Sequence, residues 1–126
     1  MKSIANHVQT HADALNLRAK RNEILASNIV NSATPNFKAR DIDFNQAMQA
    51  RMDVGPVNVS NERHFKFYSG TGDEGAQFRQ SVNPSMDGNT VELHVEQMQF
   101  SENVMRYQTS LEFLNRKFSG LMSAIK

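Results

Sequence analysis

The sequence has 126 residues, enough for one domain, with no cysteine, a formal net charge of +1 and only 39% hydrophobic residues. Thiol catalysis, disulfides and thiolate-bound zinc are therefore excluded, and the scattered basic residues argue against a dedicated nucleic-acid-binding protein. No apolar run approaches the roughly 20 residues of a membrane span. The N-terminus lacks the apolar core of a cleavable signal peptide, so the expected location is cytosolic unless another route exports the chain.

The first predicted element is a helix that runs to about Val30. Val8, Leu15 and Ile29 recur at spacings of seven or fourteen residues, with Asn22 in the gap. A polar Asn at a helix-pairing position often fixes the register of the pair at some cost in stability. Beside this row lies a row of small residues that suits close helix approach: Ala5, Ala12, Ala19 and Ala26.

The middle of the chain loses the helical period between about Thr34 and Ser85. All three prolines lie in this part or just at its border, and the segments "PVNVS" and "HFKFYS" alternate like short strands. The segment "SGTGDEGAQ" is typical of a loop. The sequence therefore predicts an irregular or short-β segment between two helices.

The C-terminal part has the clearest pattern, two apolar rows that each repeat every seven residues. The first row contains Leu93, Phe100, Tyr107, Leu114 and Leu121. The second contains Gln97, Val104, Leu111, Phe118 and Ile125. Such rows predict a coiled-coil helix of roughly 33 residues, about 50 Å long. Asn89 as N-cap and Glu92 three residues later resemble a capping box, which predicts a helix start near Thr90. Gly120 marks a close contact or a frayed end.

Together these patterns predict a mainly α fold. The long N- and C-terminal helices pair as an α-helical coiled-coil hairpin, with the irregular or short-β segment between them. The expected division of this single structural domain is an N-terminal axial helix (1–33), an arm and loop (34–88) and a C-terminal coiled-coil helix (89–126).

Several motifs have an enzymatic or ligand-binding reading that the local sequence does not favour. The glycine spacing from Gly70 to Gly75 matches a dinucleotide fingerprint, but acidic residues lie between the glycines and no βαβ unit surrounds them. His7 and His11 lack a third metal ligand. Asp41 and Asp43 are interpreted as one face of a half-buried strand rather than an acid–base pair. We therefore expect no catalytic, cofactor-binding or metal-binding residues.

Two stretches carry a family resemblance. The first is "NLRAKRNEILASNIVNSATPNFKARDIDF", residues 16–44, and the second starts with "NPSMDGNTVELHVEQ" at Asn83 and runs to the C-terminus. In this order they resemble the bacterial flagellar rod, hook and filament-axis proteins. Members of that family commonly have glycine where this chain has Asn36, which makes a positive φ at that position less free.

The resemblance implies a structural subunit of the flagellar basal body, in the proximal rod, with no enzymatic activity and no cofactor. Such a subunit would be exported by the flagellar type III apparatus without a cleavable signal peptide and would assemble in the periplasm. The implied partners are rod subunits of the FlgC type, a rod-base adaptor of the FliE type, the export apparatus and further copies of the chain itself.

The residues expected at subunit interfaces lie on both helices and on the segment after the first helix. Pro35 should end that helix, Asn28 and Asn31 should bond the freed backbone groups, and residues 36–44 should leave as an arm toward a neighbour. The alternative is a turn inside one subunit. The interface candidates are Leu15, Asn28, Ile29, Asn31, Pro35, Phe37, Ile42, Phe44, Phe100, Val104, Tyr107, Leu111, Leu114, Phe118 and Leu121.

Two other function classes remain open on residues alone. One is an adaptor or export-chaperone-like helical module that binds a partner helix. The other is a hydrolase whose triad assembles only in space.

Overall fold

The computed structural model describes residues 2–53 and 75–126. In chain order the elements are α1 (Lys2–Val30), β1 (Arg40–Ile42), α2 (Phe44–Asp53), β2 (Ala76–Phe78) and α3 (Leu93–Ile125). The prediction of a mainly α fold with long terminal helices and a short-β middle is confirmed. The strand-like segments "PVNVS" and "HFKFYS" and the glycine run 70–74 lie outside the described residues. Within the described part, no helix is both long and apolar enough to cross a membrane.

Helices α1 and α3 form an antiparallel hairpin. Asn28, near the end of α1, bonds Glu96 near the start of α3, whereas His11 of α1 lies 5.3 Å from the ring of Phe113 between centroids. We call the first of these regions, where α1 ends and α3 begins, the closed end of the hairpin. The other, with the start of α1 and the end of α3, is the open end.

The interface between α1 and α3 is more polar than the two apolar rows predicted. Phe100, Tyr107 and Leu114 of the first row are half-buried, but beside them lie Glu96 and Asn103, both fully buried. Asn103 donates from Nδ2 to the carbonyl oxygen of Arg18 at 2.8 Å and to Oδ1 of Asn22 at 2.8 Å. The seam position Asn22 thus has a polar partner across the hairpin, as a register-fixing Asn requires.

The second predicted row lies to the side of this interface. Val104 is half-buried, and Leu111, Phe118 and Ile125 are 40%, 45% and 85% exposed. We call these four residues the outer row. In the single chain the outer row is not covered by α1, because the interface runs along the first row and its polar neighbours.

Helix α2 was not anticipated from the sequence. It begins after Asp43, whose Oδ1 accepts hydrogen bonds from the backbone N–H groups of Asn45 and Gln46 at 3.0 and 3.1 Å, a standard N-cap arrangement. The helix packs on α1, where the guanidinium of Arg18 lies 4.1 Å above the ring of Phe44. With only 10 residues, α2 offers too few turns for a periodic pattern to stand out.

The two strands pair antiparallel, with Arg40 opposite Phe78 and Ile42 opposite Ala76. A two-stranded sheet is marginal in water on its own. Here β1 packs on α1, and Ile42 and Ala39 are buried, so the hairpin supplies the missing core.

The predicted start of α3 needs a correction. The helix begins at Leu93, and Glu92 at the N-cap position makes no side-chain cap bond, so there is no capping box. Asn89 is not the cap. Its Oδ1 accepts from the N–H of Val91 at 2.7 Å, and its amide nitrogen is engaged with the end of α1, as described next.

Candidate functional site

The end of α1 is held by asparagine side chains. Asn31 donates from Nδ2 to the carbonyl oxygen of Ser27 at 2.8 Å. That carbonyl also accepts the backbone N–H of Asn31 at 3.1 Å, so the side chain adds a second bond rather than serving a freed group as predicted. Asn89, only 4% exposed, reaches the same region from the far end of the sequence. Its Nδ2 donates to the carbonyl oxygens of Asn31, Ser32 and Thr34 at 3.1, 2.9 and 2.9 Å. One side chain therefore serves three carbonyls of the turn that follows α1.

The turn itself depends on two residues with positive φ. Asn36 has φ 59° and Gly88 has φ 78°. The N–H of Asn36 donates to the carbonyl oxygen of Asp87 at 2.9 Å, and the N–H of Thr90 donates to that of Phe37 at 3.0 Å. The left-handed position 36 is thus occupied by Asn, which tolerates positive φ better than most other residues with a Cβ. The two signature stretches of the sequence bind each other.

Asn28, about one helical turn before Asn31 on α1, binds the backbone of the segment that follows the turn. Its Nδ2 donates to the carbonyl oxygen of Arg40 at 2.6 Å and its Oδ1 accepts from the N–H of Arg40 at 3.1 Å. A side-chain amide in this position satisfies both peptide groups of Arg40, as a neighbouring strand would. Asn28 was predicted to bond backbone freed at the helix end, and instead it bonds the first residue of β1.

Four charged side chains connect every element of the closed end, and we call them the ionic chain: Arg21, Asp41, Arg79 and Glu96. Arg21 holds Asp41 with two hydrogen bonds of 2.8 and 3.0 Å. Arg79, just after β2, donates to Oδ2 of Asp41 and to Oε1 of Glu96, each at 2.5 Å. Asn28 supplies the second partner of Glu96 at 3.0 Å. Along the ionic chain the two arginines alternate with the two carboxylates, so its positive and negative charges are equal in number.

Contacts in the ionic chain shift the pKa values of Asp41 and Arg21. Burial raises the pKa of Asp41, but the hydrogen bonds and charge of Arg21, helped by Arg79, outweigh burial and hold that pKa below the ordinary 3.8. The hydrogen bond to Asp41 raises the pKa of Arg21. Both shifts favour the charged forms, so this is a stable ion-pair network rather than a proton-transfer site.

The closed end contradicts the expectation of an arm that reaches a neighbour with Ile42. Ile42 is 2% exposed and packs within its own chain, and Asp41 is bound to two arginines rather than lying on a solvated rim. Phe37 and Phe44 are half-buried and Pro35 is exposed. The segment is an internal turn and strand in the single chain because its backbone bonds are satisfied by α1 and by residues 87–90.

Comparison with known proteins gives consistent matches. Residues 8–38 match the family model described as "Flagella basal body rod protein". The flagellar basal body rod protein FlgB of Cereibacter sphaeroides is 50% identical over 126 residues, covering 100% of this chain and 98% of the relative. The FlgB proteins of Aeromonas hydrophila and Escherichia coli K12 are 45% and 37% identical, over 92% and 90% of this chain and 89% and 88% of theirs. The chain belongs to the FlgB family.

Members of the FlgB family are structural subunits of the flagellar basal-body rod, and the earlier resemblance is thereby confirmed. In this FlgB-family chain the remaining interface candidates divide by exposure. Leu15, Ile29, Phe100, Val104, Tyr107 and Leu114 are half-buried, whereas Leu111, Phe118 and Leu121 are exposed. The half-buried residues of the first row line the hairpin.

The FlgB-family chain also uses residues that the sequence did not single out, namely Arg21, Arg79, Glu96 and Asn103. For Glu96 and Asn103 of α3, the sequence does contain a pattern that could have identified them. Glu96, Asn103, Ser110 and Lys117 form a polar row with the same seven-residue spacing as the apolar rows. Arg79 had no signal, because its role depends on a strand that brings it between two distant carboxylates.

Other polar pairs in this family member do not form a ligand site. His7 and His11 stack edge to face at 5.0 Å between ring centroids, and burial, followed by the charges of Lys117 and His7, lowers the pKa of His11. Asp43 caps α2 and Asp41 belongs to the ionic chain, so they do not act as a carboxylate pair. In residues 2–53 and 75–126 no cluster of three or more metal-ligating side chains occurs.

Proposed function

We propose that this chain is a proximal rod subunit that the flagellar type III apparatus exports and that assembles in the periplasm through helix packing on α3. The observation that carries the proposal is the exposed outer row, with Leu111 at 40%, Phe118 at 45% and Ile125 at 85% exposure. Apolar residues at coiled-coil spacing are suited to packing against further helices. They also explain why a chain with a family role in the rod leaves its C-terminal helix uncovered.

Burial of the exposed side chains on α3 supplies free energy for such packing. Burial of an exposed Leu or Phe side chain contributes about 1.5–3 kcal/mol at most, so several contacts per subunit are needed to offset the cost of association.

The proposed partners are further copies of this chain, rod subunits of the FlgC type, a rod-base adaptor of the FliE type and the export apparatus. Copies can pack side by side, because an interface between different faces of identical subunits generates a helical array. Residues Leu111 and Phe118 are the proposed contacts, with Val104, Leu121 and Ile125 extending the surface along α3.

The decisive experiment introduces a carboxylate into the outer row. Leu111→Asp and Phe118→Asp leave the hairpin intact, since both side chains are exposed in the single chain, but bury a charge at a subunit contact at a cost of several kcal/mol. The matched control is Asn115→Asp, which adds the same charge on an exposed polar position of α3. Secretion of the subunit and motility are measured in the same strains.

We expect all three variants to be secreted, and the two outer-row variants to lose rod completion and motility while Asn115→Asp keeps both. A motile Phe118→Asp strain would show that the outer row is not a subunit contact. Retention of Leu111→Asp in the cytosol would show that α3 serves export. Leu114→Asp tests something else, because Leu114 is half-buried against α1 and its loss opens the hairpin itself.

A second test concerns targeting for export, which we propose uses the apolar residues of the segment Asp41–Phe44. Deletion of this segment should reduce secretion. The structure supplies a control, since Asp41→Asn and Asp43→Ala disturb the ionic chain and the α2 cap but keep the apolar side chains. If export reads an unfolded apolar element, Ile42→Asp reduces secretion and Asp41→Asn does not. Equal secretion of the deletion variant and wild type would remove the targeting role.

A further inference from the structure

Arg79 connects the β2 segment to the helical hairpin through charge. It lies immediately after β2 and bonds Asp41 of the β1 segment and Glu96 of α3, each at 2.5 Å. The other members of the ionic chain belong to α1, β1 and α3. Arg79 is therefore a direct link between the β2 segment and the hairpin.

The two carboxylates that Arg79 binds differ in how much they depend on it. Asp41 keeps two hydrogen bonds from Arg21 if Arg79 leaves. Glu96 has a fully buried side chain, and its other hydrogen-bond partner is the neutral amide of Asn28. A buried charge without an opposite charge in contact is strongly unfavourable. Loss of Arg79 leaves Glu96 in that condition.

The remaining groups around Glu96 do not replace Arg79. On α1, Arg21 acts on Glu96 through space but directs its hydrogen bonds to Asp41 and Gln99. On β1, Asp41 has the same charge as Glu96. On α3 itself, Glu92 lies one turn earlier and is also acidic. Among the residues that the structure describes, Arg79 is the guanidinium within hydrogen-bond distance of Glu96.

From these contacts we infer that the β2 segment is a latch for the hairpin, with Arg79 as the residue that permits an ionised Glu96 to remain inside. When the β2 segment is paired with β1, Arg79 neutralises Glu96 and the start of α3 closes on α1. When β2 leaves β1, Glu96 must reach water or take up a proton, and the closed end opens. Strand pairing and helix closure are thus one coupled step.

This inference concerns folding of the single chain and does not rest on the outer row or on export. It predicts that Arg79 and Glu96 act as a unit. Arg79→Gln should raise the unfolding equilibrium constant at about pH 7.5 by roughly a hundredfold or more, the usual effect of removing one partner of a buried ion pair. Adding Glu96→Gln to that variant should restore most of the loss, because the neutral amide needs no counter-charge.

Exposed Arg116 and Glu112 form the matched control pair, with side chains 79% and 65% exposed. Arg116→Gln should have little effect, and Glu112→Gln should not rescue it.

The experiment uses the full-length protein, with urea unfolding followed by circular dichroism and hydrogen exchange at the amides of 96–103. Support consists of rescue by Glu96→Gln at pH 7.5 and faster exchange at the start of α3 in Arg79→Gln alone. A double variant no more stable than Arg79→Gln, or unchanged exchange at the start of α3 in Arg79→Gln, overturns the latch. If Arg79→Gln is already unfolded at pH 7.5, a folded double variant supports the latch and an unfolded one overturns it.

Discussion

The contact between Asn36 and Gly88 allows the docking of the two signature stretches to be measured as a coupling energy. Both residues have positive φ, and a Cβ added to Gly88 would lie 2.9 Å from Oδ1 of Asn36. Gly88→Ala therefore has two costs. One is the strain of a left-handed alanine, about 1–2 kcal/mol, and the other is the contact with Asn36, which must move its side chain.

The two costs can be separated by substitutions that carry only one of them. Gly75 also has positive φ, at 73°, but a Cβ there meets no atom within 4 Å, so Gly75→Ala reports strain alone. In an Asn36→Gly background the close oxygen is absent, and Gly88→Ala should then cost no more than Gly75→Ala. We expect Gly88→Ala to lower the free energy of unfolding by about 2–3 kcal/mol in the wild type and by about 1–2 kcal/mol with Asn36→Gly.

The measurement is urea unfolding of the four proteins of the Asn36/Gly88 cycle, together with Gly75→Ala. A coupling of about 1 kcal/mol between the two positions is the expected result. The reasoning fails if Gly88→Ala costs the same in both backgrounds, because the side chain of Asn36 would then not be what the new methyl meets. It also fails if Gly75→Ala is as costly as Gly88→Ala in the wild type.

Three further predictions use the same unfolding assay. Asn89→Ala removes a buried donor from three carbonyls and should cost about 2–4 kcal/mol, whereas Asn115→Ala, exposed on α3, should change the free energy of unfolding by less than about 0.5 kcal/mol. Gly120→Ala should stabilise the single chain by about 1 kcal/mol, since the position is helical and open; loss of motility in that stabilised variant would locate a close contact between subunits there. The pKa of Asp41 is depressed by Arg21, so the stability this carboxylate contributes is complete above its unfolded pKa and is lost as the pH falls through its folded pKa. Asp41→Asn should therefore cost most near pH 7 and least near pH 2, and a cost independent of pH would contradict the assignment.

The terminal helices were predictable because their pattern is long. Five repeats of seven residues in α3 specify a helix and an apolar stripe without help from the rest of the chain. The pattern does not show, however, which surface the apolar stripe packs against. The sequence could not show that α1 would cover Phe100 and Tyr107 and leave Leu111 and Phe118 exposed, because that choice depends on where Glu96 and Asn103 find polar partners.

The closed end was predictable only in its local parts. Asn31 as a bonding group and Asn36 at a strained position follow from neighbouring residues. Pro35 was expected to end the first helix, but α1 already ends at Val30, before the residue that the proline disfavours. The burial of Ile42 depends on α1 and on pairing with Ala76 across the sheet. The real task of Asn89 depends on carbonyl groups more than 50 positions away. An Asn before a helix looks like an N-cap in sequence whether it caps its own helix or the end of another one.

Asn28 protects the edge of the small sheet at Arg40. Because its amide takes both the N–H and the carbonyl group of Arg40, a further strand cannot pair with that residue unless Asn28 first gives up both bonds. The N–H of Ile42 is also occupied, by Oδ1 of Asp41 at 2.7 Å. Side chains of this chain thus take the backbone groups through which edge strands of different molecules pair during aggregation.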